Sequence, residues 1–395
     1  MTLTSIELGP YFEPRHRELA ASLDETARVL EAEAHGDGGA GGAGGGGPSG
    51  GVAGARDAAT LARELGERHG LYRHLVPAEG QALDVRALVL VREALGFADP
   101  LADAIFAVQG LGSYPIVLAG TSAQKEELLG DVVRGTRIAA FALTEPEAGS
   151  DVGALATSAR RDADHWVLDG EKIFISNVPI AHHYVVFARV AGEGDEKKSV
   201  SAFVVDKESP GLALESQTLS IDHPIGKLTM SGCRVPASAL LGAVGDGMRL
   251  ALATLETFRT SVGAAANGMA NAALSDAVKH VTARRQFGKA LAEQQLVQSY
   301  LADMATELDA ARLLVARAAW VKDTRPGRAP GEVAMAKMFA TEAAQRTIDR
   351  AVQLLGGRGV LRGTRVEALY RDIRPLRIYE GTTEIQKLII ARTLL

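Results

Sequence analysis

The chain has 395 residues, of which 47% are apolar and 23% charged, a composition typical of a globular protein with two or three packed units. The formal net charge of −5 excludes a basic footprint for nucleic acid and does not favour an anionic membrane surface. Its one cysteine, Cys233, excludes an intrachain disulfide and a cysteine-rich metal site, and we expect no bound metal.

The N-terminal segment has none of the apolar core of a secretory signal, since acidic residues interrupt MTLTSIELGPYFEPRHRELA. No uncharged apolar stretch reaches membrane-spanning length. We therefore expect a soluble cytoplasmic protein.

The first helix is predicted between residues 12 and 35, where apolar residues recur at helical spacing. Glycine dominates residues 36–54, and a segment with so few side chains predicts a flexible loop between two helices. A formal GxGxxG pattern at Gly39, Gly41 and Gly44 indicates no dinucleotide site, because no strand precedes it.

Helical periodicity returns at residues 56–70 and 85–96, and the apolar stretch 101–120 is predicted to be buried. Thr121 then begins an amphipathic helix. Residues 1–135 are accordingly predicted to form an N-terminal helical domain.

The pattern changes near Arg137 to short β-rich runs separated by turn-forming residues, which predicts a middle antiparallel β domain over residues 136–240. Long Ala- and Leu-rich helices follow, at 247–283, 292–323 and 332–355, and predict a C-terminal four-helix bundle over 241–395. The predicted fold class is α+β, mainly α. The order helices, strands, helices excludes the βαβ alternation of a doubly wound dinucleotide fold.

Two candidate ligand-binding segments lie in the predicted β domain. In FALTEPEAGSD, residues 141–151, a strand runs into a loop of small and hydroxyl residues that lets a planar ligand approach the backbone, although a capped turn would have the same pattern. In KIFISN, residues 172–177, a hydroxyl at a strand end can donate to a heteroaromatic nitrogen, although an ordinary core strand fits equally well.

Two further segments lie among the C-terminal helices. In ARRQFGK, residues 283–289, paired guanidinium groups and a ring suit a pyrophosphate and a stacked base, or simply a solvated helix end. In RIYEGTTEIQ, residues 377–386, the capping-box spacing of Thr383 and Gln386 predicts a helix from about Thr383. Glu380 precedes that helix as a candidate base or as a complement to the helix dipole.

In combination, the four segments and QLLGGRG (353–359) resemble the acyl-CoA dehydrogenase family, over about residues 55–395. The glycine tract lies outside the family pattern, and the first 35 residues match it only loosely. The resemblance implies a helical domain, a β domain and a helical bundle, with FAD as cofactor and an acyl-CoA or other acyl thioester as substrate. It also implies an electron-transfer flavoprotein as acceptor and a homodimer or homotetramer.

The resemblance further implies roles for individual residues. Ser176 matches a position near flavin N5, and Arg284, Gln286 and Phe287 match residues that meet the FAD of a neighbouring subunit. The remaining cofactor-binding matches are Phe141, Leu143, Thr144, Gly149, Ser150, Phe174, Ile175, Gln353, Gly356, Gly357, Thr382 and Glu384. The substrate-binding matches are Ser150, Glu256, Arg259 and Gly381.

Glu380 matches the base that takes the α-proton while the β-carbon passes a hydride to the flavin. Some family members carry the base on an earlier helix, but Phe258 stands at that position here and cannot take a proton. Two alternatives stay open at the level of sequence. One is an acyl-CoA oxidase that uses oxygen, and the other is a flavin-binding protein of the same fold that does not act as a dehydrogenase.

Overall fold

A computed structural model describes residues 9–35, 57–190 and 199–395. The predicted glycine-rich loop at 36–54 lies outside these residues. The described chain has the predicted order of helices, then a sheet, then helices, which confirms the predicted fold class. The N-terminal helices are α1 (Pro14–His35), α2 (Ala58–Glu67), α3 (Val85–Ala98), α4 (Pro100–Ala119) and α5 (Ser122–Arg134).

Polar side chains fix the starts of these helices. The Asp84 carboxylate accepts from the Ala87 N–H at 2.9 Å and caps α3, and Thr121 and Gln124 form the reciprocal capping box of α5, as the sequence predicts. Helix α4 is long and apolar enough to cross a membrane by length and composition, but 72% of its apolar window is buried inside the protein. Because α4 packs on α6 and on the first strand of the sheet, it is a core helix.

The sheet comprises β1 to β8 in the order β6-β7-β3-β2-β4-β5-β8, with β1 beside β4. The predicted antiparallel arrangement is confirmed for most strand pairs but is wrong for β1 and β2, which both pair parallel to β4. The long segment between β1 and β4 supplies the crossover that a parallel pair requires. The strands are β1 (Ala139–Ala142), β2 (Ser158–Asp162), β3 (His165–Ser176), β4 (His183–Val190), β5 (Val200–Asp206), β6 (Leu212–Gln217), β7 (Ile225–Pro236) and β8 (Leu240–Leu241).

The C-terminal helices pack around α6, which contacts α8, α3 and α7. Helices α3 and α6 approach closely at Gly96 and Gly268, where a Cβ would overlap the backbone of the opposite helix. This crossing brings side chains of the N-terminal helices into the C-terminal bundle. The elements are α6 (Gly247–Ala283), β9 (Arg285–Gln286), β10 (Lys289–Ala290), α7 (Gln295–Thr324), α8 (Pro330–Leu355), α9 (Arg365–Asp372) and α10 (Thr383–Leu394).

Candidate active site

Glu380 lies in a tight turn between the short helical turn Arg374–Arg377 and α10. Its backbone is left-handed, with φ of 54°, and that of Gly381 follows at 91°. A left-handed conformation costs a non-glycine residue of order 1–3 kcal/mol, so other contacts must hold Glu380 in it. Gly381 adopts the same region without that cost.

Three side chains from three helices hold the carbonyl groups of this turn. Nε of Arg259 donates to the Glu380 carbonyl at 2.7 Å, and Nζ of Lys337 donates to the Gly381 carbonyl at 2.8 Å. Nε2 of Gln386 donates to the same two carbonyls, at 3.3 Å and 2.9 Å. Hydrogen bonds from charged donors contribute about 1.5–3 kcal/mol each, enough to outweigh the backbone strain at Glu380.

The Glu380 carboxyl group is buried, and its Oε2 atom has no hydrogen-bond partner within the described part of the chain. Burial raises the pKa of this carboxyl above its ordinary value, and the charges of Arg92, Arg259 and Lys337 oppose the rise. The Glu380 N–H also has no hydrogen-bond acceptor among the described residues. A buried carboxyl group and a free N–H donor therefore belong to the same residue.

Arg92 belongs to a polar cluster beside Glu380 that sequence reasoning missed. Its guanidinium forms a bidentate pair with Asp103, at 2.8 Å and 2.7 Å, and donates to the Ser261 hydroxyl at 3.1 Å. The side chains of Arg92 and Asp103 are 0% and 1% exposed. Charges inside otherwise buried, apolar helices were a signal for this cluster, because a buried charge requires a partner.

The structure brings together the two candidate segments of the β domain. The Ile173 N–H donates to the Thr144 carbonyl at 3.0 Å. Beneath them, Nζ of the fully buried Lys172 donates to the Leu143 carbonyl at 3.1 Å and to Glu145 at 2.7 Å. Burial lowers the pKa of Lys172 to about 8, against the attraction of Glu145. This ion pair, also missed from the sequence, fixes the loop after β1 to the strand β3.

The end of β3 presents an open face. Phe174 is 58% exposed, with a left-handed φ of 56°, while Ile175 is buried. The Ser176 hydroxyl lies 2.6 Å from Nε2 of His223, a residue that the sequence did not single out. Gly149 and Ser150 are exposed, Phe141 and Thr144 are half-buried, and Leu143 is buried.

Other predicted cofactor residues lie elsewhere on the surface. The hairpin β9–β10 carries Phe287, which is 95% exposed, and Gln353 is exposed at the end of α8. A Cβ on Gly356 or Gly357 would meet nothing within 4 Å. Among the described residues, no hydrogen bond, ion pair or ring contact joins these groups to the segment around Ser176.

Three family models match consecutive parts of the chain: the acyl-CoA dehydrogenase N-terminal domain at residues 53–136, the middle domain at 140–233 and the C-terminal domain at 245–395. The chain belongs to the acyl-CoA dehydrogenase family. It is therefore an FAD-dependent oxidoreductase of the acyl-CoA dehydrogenase type.

Individual relatives agree with this assignment. The mitochondrial short-chain specific acyl-CoA dehydrogenase of Bos taurus is 40% identical over 86% of this chain and 83% of its own length. The 3-(aryl)acrylate reductase of Clostridium sporogenes is 38% identical over 83% of this chain and 88% of its own length. A solved acyl-CoA dehydrogenase from Bacillus anthracis, complexed with FAD, superposes with a TM-score of 0.81 at 29% identity, covering 97% of this chain and 67% of that one.

The residues around Ser176 fit a flavin of this family. An exposed ring at Phe174, a hydroxyl at Ser176 and the open backbone at Gly149 can meet a planar, hydrogen-bonding ligand. The fit rests on this open, polar and aromatic surface at the end of β3.

One predicted substrate-binding residue, Glu256, makes contacts that the sequence did not anticipate. Glu256 is 3% exposed, and its carboxylate accepts from Lys322, Arg328 and the Ala329 N–H. Its role in substrate binding therefore stays a prediction.

At the start of α10, the predicted capping box is wrong, although the helix begins at Thr383 as expected. The cap is Thr382, which accepts from the Ile385 N–H, while the Thr383 hydroxyl donates to Glu342 at 2.7 Å. Gln386 is drawn away to the Glu380 and Gly381 carbonyls. Glu384 is exposed in the first turn of the helix.

Proposed function

We propose that this chain oxidises an acyl-CoA to its α,β-unsaturated product, with Glu380 as the base that removes the α-proton. The observation that carries the proposal is the buried Oε2 atom of Glu380, which has no partner among the described residues. Oε2 takes the α-proton, and burial then favours the neutral acid that forms. The chemistry that bound FAD supplies is acceptance of the hydride from the β-carbon.

The backbone N–H of Glu380 is the second part of the proposed mechanism. It donates to no described acceptor, so it can donate to the thioester carbonyl of the substrate. Polarising that carbonyl makes the adjacent α-proton more acidic. Phe258, at the position of the alternative base, is fully buried and packs edge-on against Tyr114, with ring centroids 5.8 Å apart.

We further propose that the FAD site is shared between subunits of a homodimer or homotetramer. One subunit would hold the flavin with the loop after β1, from Phe141 to Ser150, and with the end of β3, from Phe174 to Ser176. The exposed Phe287 and the open Gly356 turn support a contribution from a second subunit. The proposed contacts from that subunit are Arg284, Gln286 and Phe287. Gln353, Gly356 and Gly357 are proposed as a further FAD-contacting turn, and Thr382 and Glu384 as FAD contacts that follow the base.

The electron acceptor is proposed to be an electron-transfer flavoprotein, on the resemblance to the dehydrogenases of this family. A cytoplasmic location stays a prediction from the sequence. The deciding experiment mixes the yellow protein anaerobically with butyryl-, isobutyryl-, octanoyl- and 3-phenylpropionyl-CoA. We expect at least one of them to bleach the flavin absorbance within seconds. No bleaching by any acyl-CoA contradicts the proposal, and rapid stoichiometric peroxide formation in air shows an oxidase instead.

A further inference from the structure

Lys337 is a fully buried cation in a poor electrostatic environment. Its ammonium group carries three donors, yet within the described ranges it donates only to the Gly381 carbonyl, at 2.8 Å. Burial lowers the pKa of Lys337 to about 8, with the nearby Glu380 carboxyl opposing the shift. A buried ammonium of this kind stabilises a fold poorly compared with an apolar side chain of the same size. The placement of Lys337 is explained by its effect on the backbone turn at Glu380 and Gly381.

That turn determines where the Glu380 carboxylate points. Oε2 of Glu380 has no partner in the described chain, so the direction of the side chain depends on the backbone beneath it. Gly381 could adopt many backbone conformations, and its carbonyl contacts with Lys337 and Gln386 select one of them. Both donors reach the same oxygen from different helices, α8 and α10.

We propose that Lys337 and Gln386 are positioning residues for the reaction, holding the Gly381 carbonyl so that the Glu380 carboxylate stays aimed at the substrate's α-carbon. They act through the backbone of the turn. The inference rests on the proposed role of Glu380 as the base. On this proposal, the rate depends on the hydrogen bond to the Gly381 carbonyl more than on the charge of Lys337.

The test compares two variants that separate the hydrogen bond from the charge. Lys337→Met removes both, whereas Lys337→Gln removes the charge and keeps an N–H donor on a side chain one bond shorter. Arg350→Met is the matched control, because it removes another cation from α8, one that pairs with Asp303 and Glu307 of the neighbouring helix α7. Each FAD-loaded protein is mixed anaerobically with the acyl-CoA that reduces the wild type fastest, and flavin reduction is followed from pH 6 to 9.

We expect Lys337→Met to keep its FAD and its KM within a few-fold, and to reduce its flavin roughly 10- to 100-fold more slowly, as for a displaced catalytic group. Lys337→Gln should recover most of that rate, with the apparent pKa of the base moved upward because a nearby positive charge is gone. Arg350→Met should match the wild type. A wild-type rate in Lys337→Met overturns the proposal, and so does an equal loss in Lys337→Met and Lys337→Gln.

Gln386→Met keeps the proposal testable if Lys337→Met does not fold. It removes the second donor to the Gly381 carbonyl, together with the longer bond to the Glu380 carbonyl, and introduces no charge. We expect a smaller but measurable slowing, of about 3- to 10-fold. An unchanged rate in this variant also overturns the proposal. Glu380→Gln, measured in parallel, separates the positioning role from the proposed function. A slow Glu380→Gln with a fast Lys337→Met contradicts the positioning role alone, whereas a fast Glu380→Gln contradicts the proposed function itself.

Discussion

The Ser176 hydroxyl lies 2.6 Å from Nε2 of His223, so the loop before β7 contacts the end of β3 where the flavin is expected. Burial lowers the pKa of His223 to about 4, and its ring is therefore neutral at pH 7. A neutral imidazole fixes the direction of the hydroxyl it meets. We expect His223→Phe to shift the visible absorption maximum of bound FAD by several nanometres. The cause would be a changed hydrogen bond between the Ser176 hydroxyl and flavin N5. His165→Phe, at the exposed β2–β3 turn, is the control, and identical spectra for wild type and His223→Phe would contradict the prediction.

Glu380→Gln keeps the size of the side chain and removes the proposed base. General-base catalysis contributes about 10²–10⁴-fold, and a sole base acting on a weakly acidic proton should lie towards the upper limit. We expect the variant to fold, to keep its yellow FAD, and to reduce its flavin at least ~10³-fold more slowly in stopped-flow absorbance. A rate within a few-fold of wild type would assign the base to another group.

The same variant should be more stable than the wild type at neutral pH. Burial raises the pKa of the Glu380 carboxyl above its ordinary value of 4.5, so the folded protein holds that proton more tightly than the unfolded chain. The free energy of unfolding of the wild type therefore falls as pH rises from the unfolded pKa through the folded pKa. The fall is about 1.4 kcal/mol for each tenfold difference in proton affinity between the two states. Glutamine does not ionise, so the variant shows no such fall. Urea unfolding should show a gain for Glu380→Gln at about pH 7 and none at about pH 4. A gain independent of pH would point to a packing effect.

Arg92 and Asp103 should behave as a pair in a double-mutant cycle. Arg92→Met leaves the Asp103 carboxylate buried without its partner and should cost about 3–5 kcal/mol in the free energy of unfolding. Arg92→Met/Asp103→Leu replaces both charges with apolar groups and should recover most of that loss. Additive effects in urea unfolding would show that the two side chains do not depend on each other.

Phe287 should matter to cofactor retention and not to the stability of its own subunit. Its side chain is 95% exposed and buries almost no surface within the chain. We expect Phe287→Ala to leave the urea midpoint of the apoprotein unchanged and to weaken FAD retention about 10-fold or more, as for loss of a stacked ring. Leu214→Ala, an exposed residue on β6, serves as the control. Sedimentation of an FAD-replete monomer would contradict the shared site.

Local patterns predicted much of the fold. Helix α6 spans 247–283 as the sequence predicts, and the strands from β1 to β8 lie within the predicted β domain or one residue beyond it, because amphipathic spacing and β-branched runs are local properties. The parallel pairing of β1 and β2 with β4 was missed, since strand direction depends on residues distant in the sequence. Motif order likewise indicated Glu380 and the loop after β1.

The supporting residues of the site were not predictable in the same way. Arg92 and Ser261 are 169 positions apart, and Lys337 and Gly381 are 44 apart, so each contact exists only once the helices have packed. His223 lies in a segment between strands with no distinctive pattern around it. The one usable signal was an isolated charge in an apolar helix, as at Arg92, which shows that a partner is needed but not which one.

The donors around the turn bind backbone carbonyl oxygens, which every residue type carries. The shape of the turn is therefore independent of the functional group at position 380, except for β-branched residues, which resist a left-handed backbone. With an amide, a shorter acid or a thiol at this position, the backbone of the turn would make the same contacts with Arg259, Lys337 and Gln386. The proposed base and the shape of its turn are thus encoded separately, and we expect a single codon change at this position to remove the proposed base while the turn keeps its contacts.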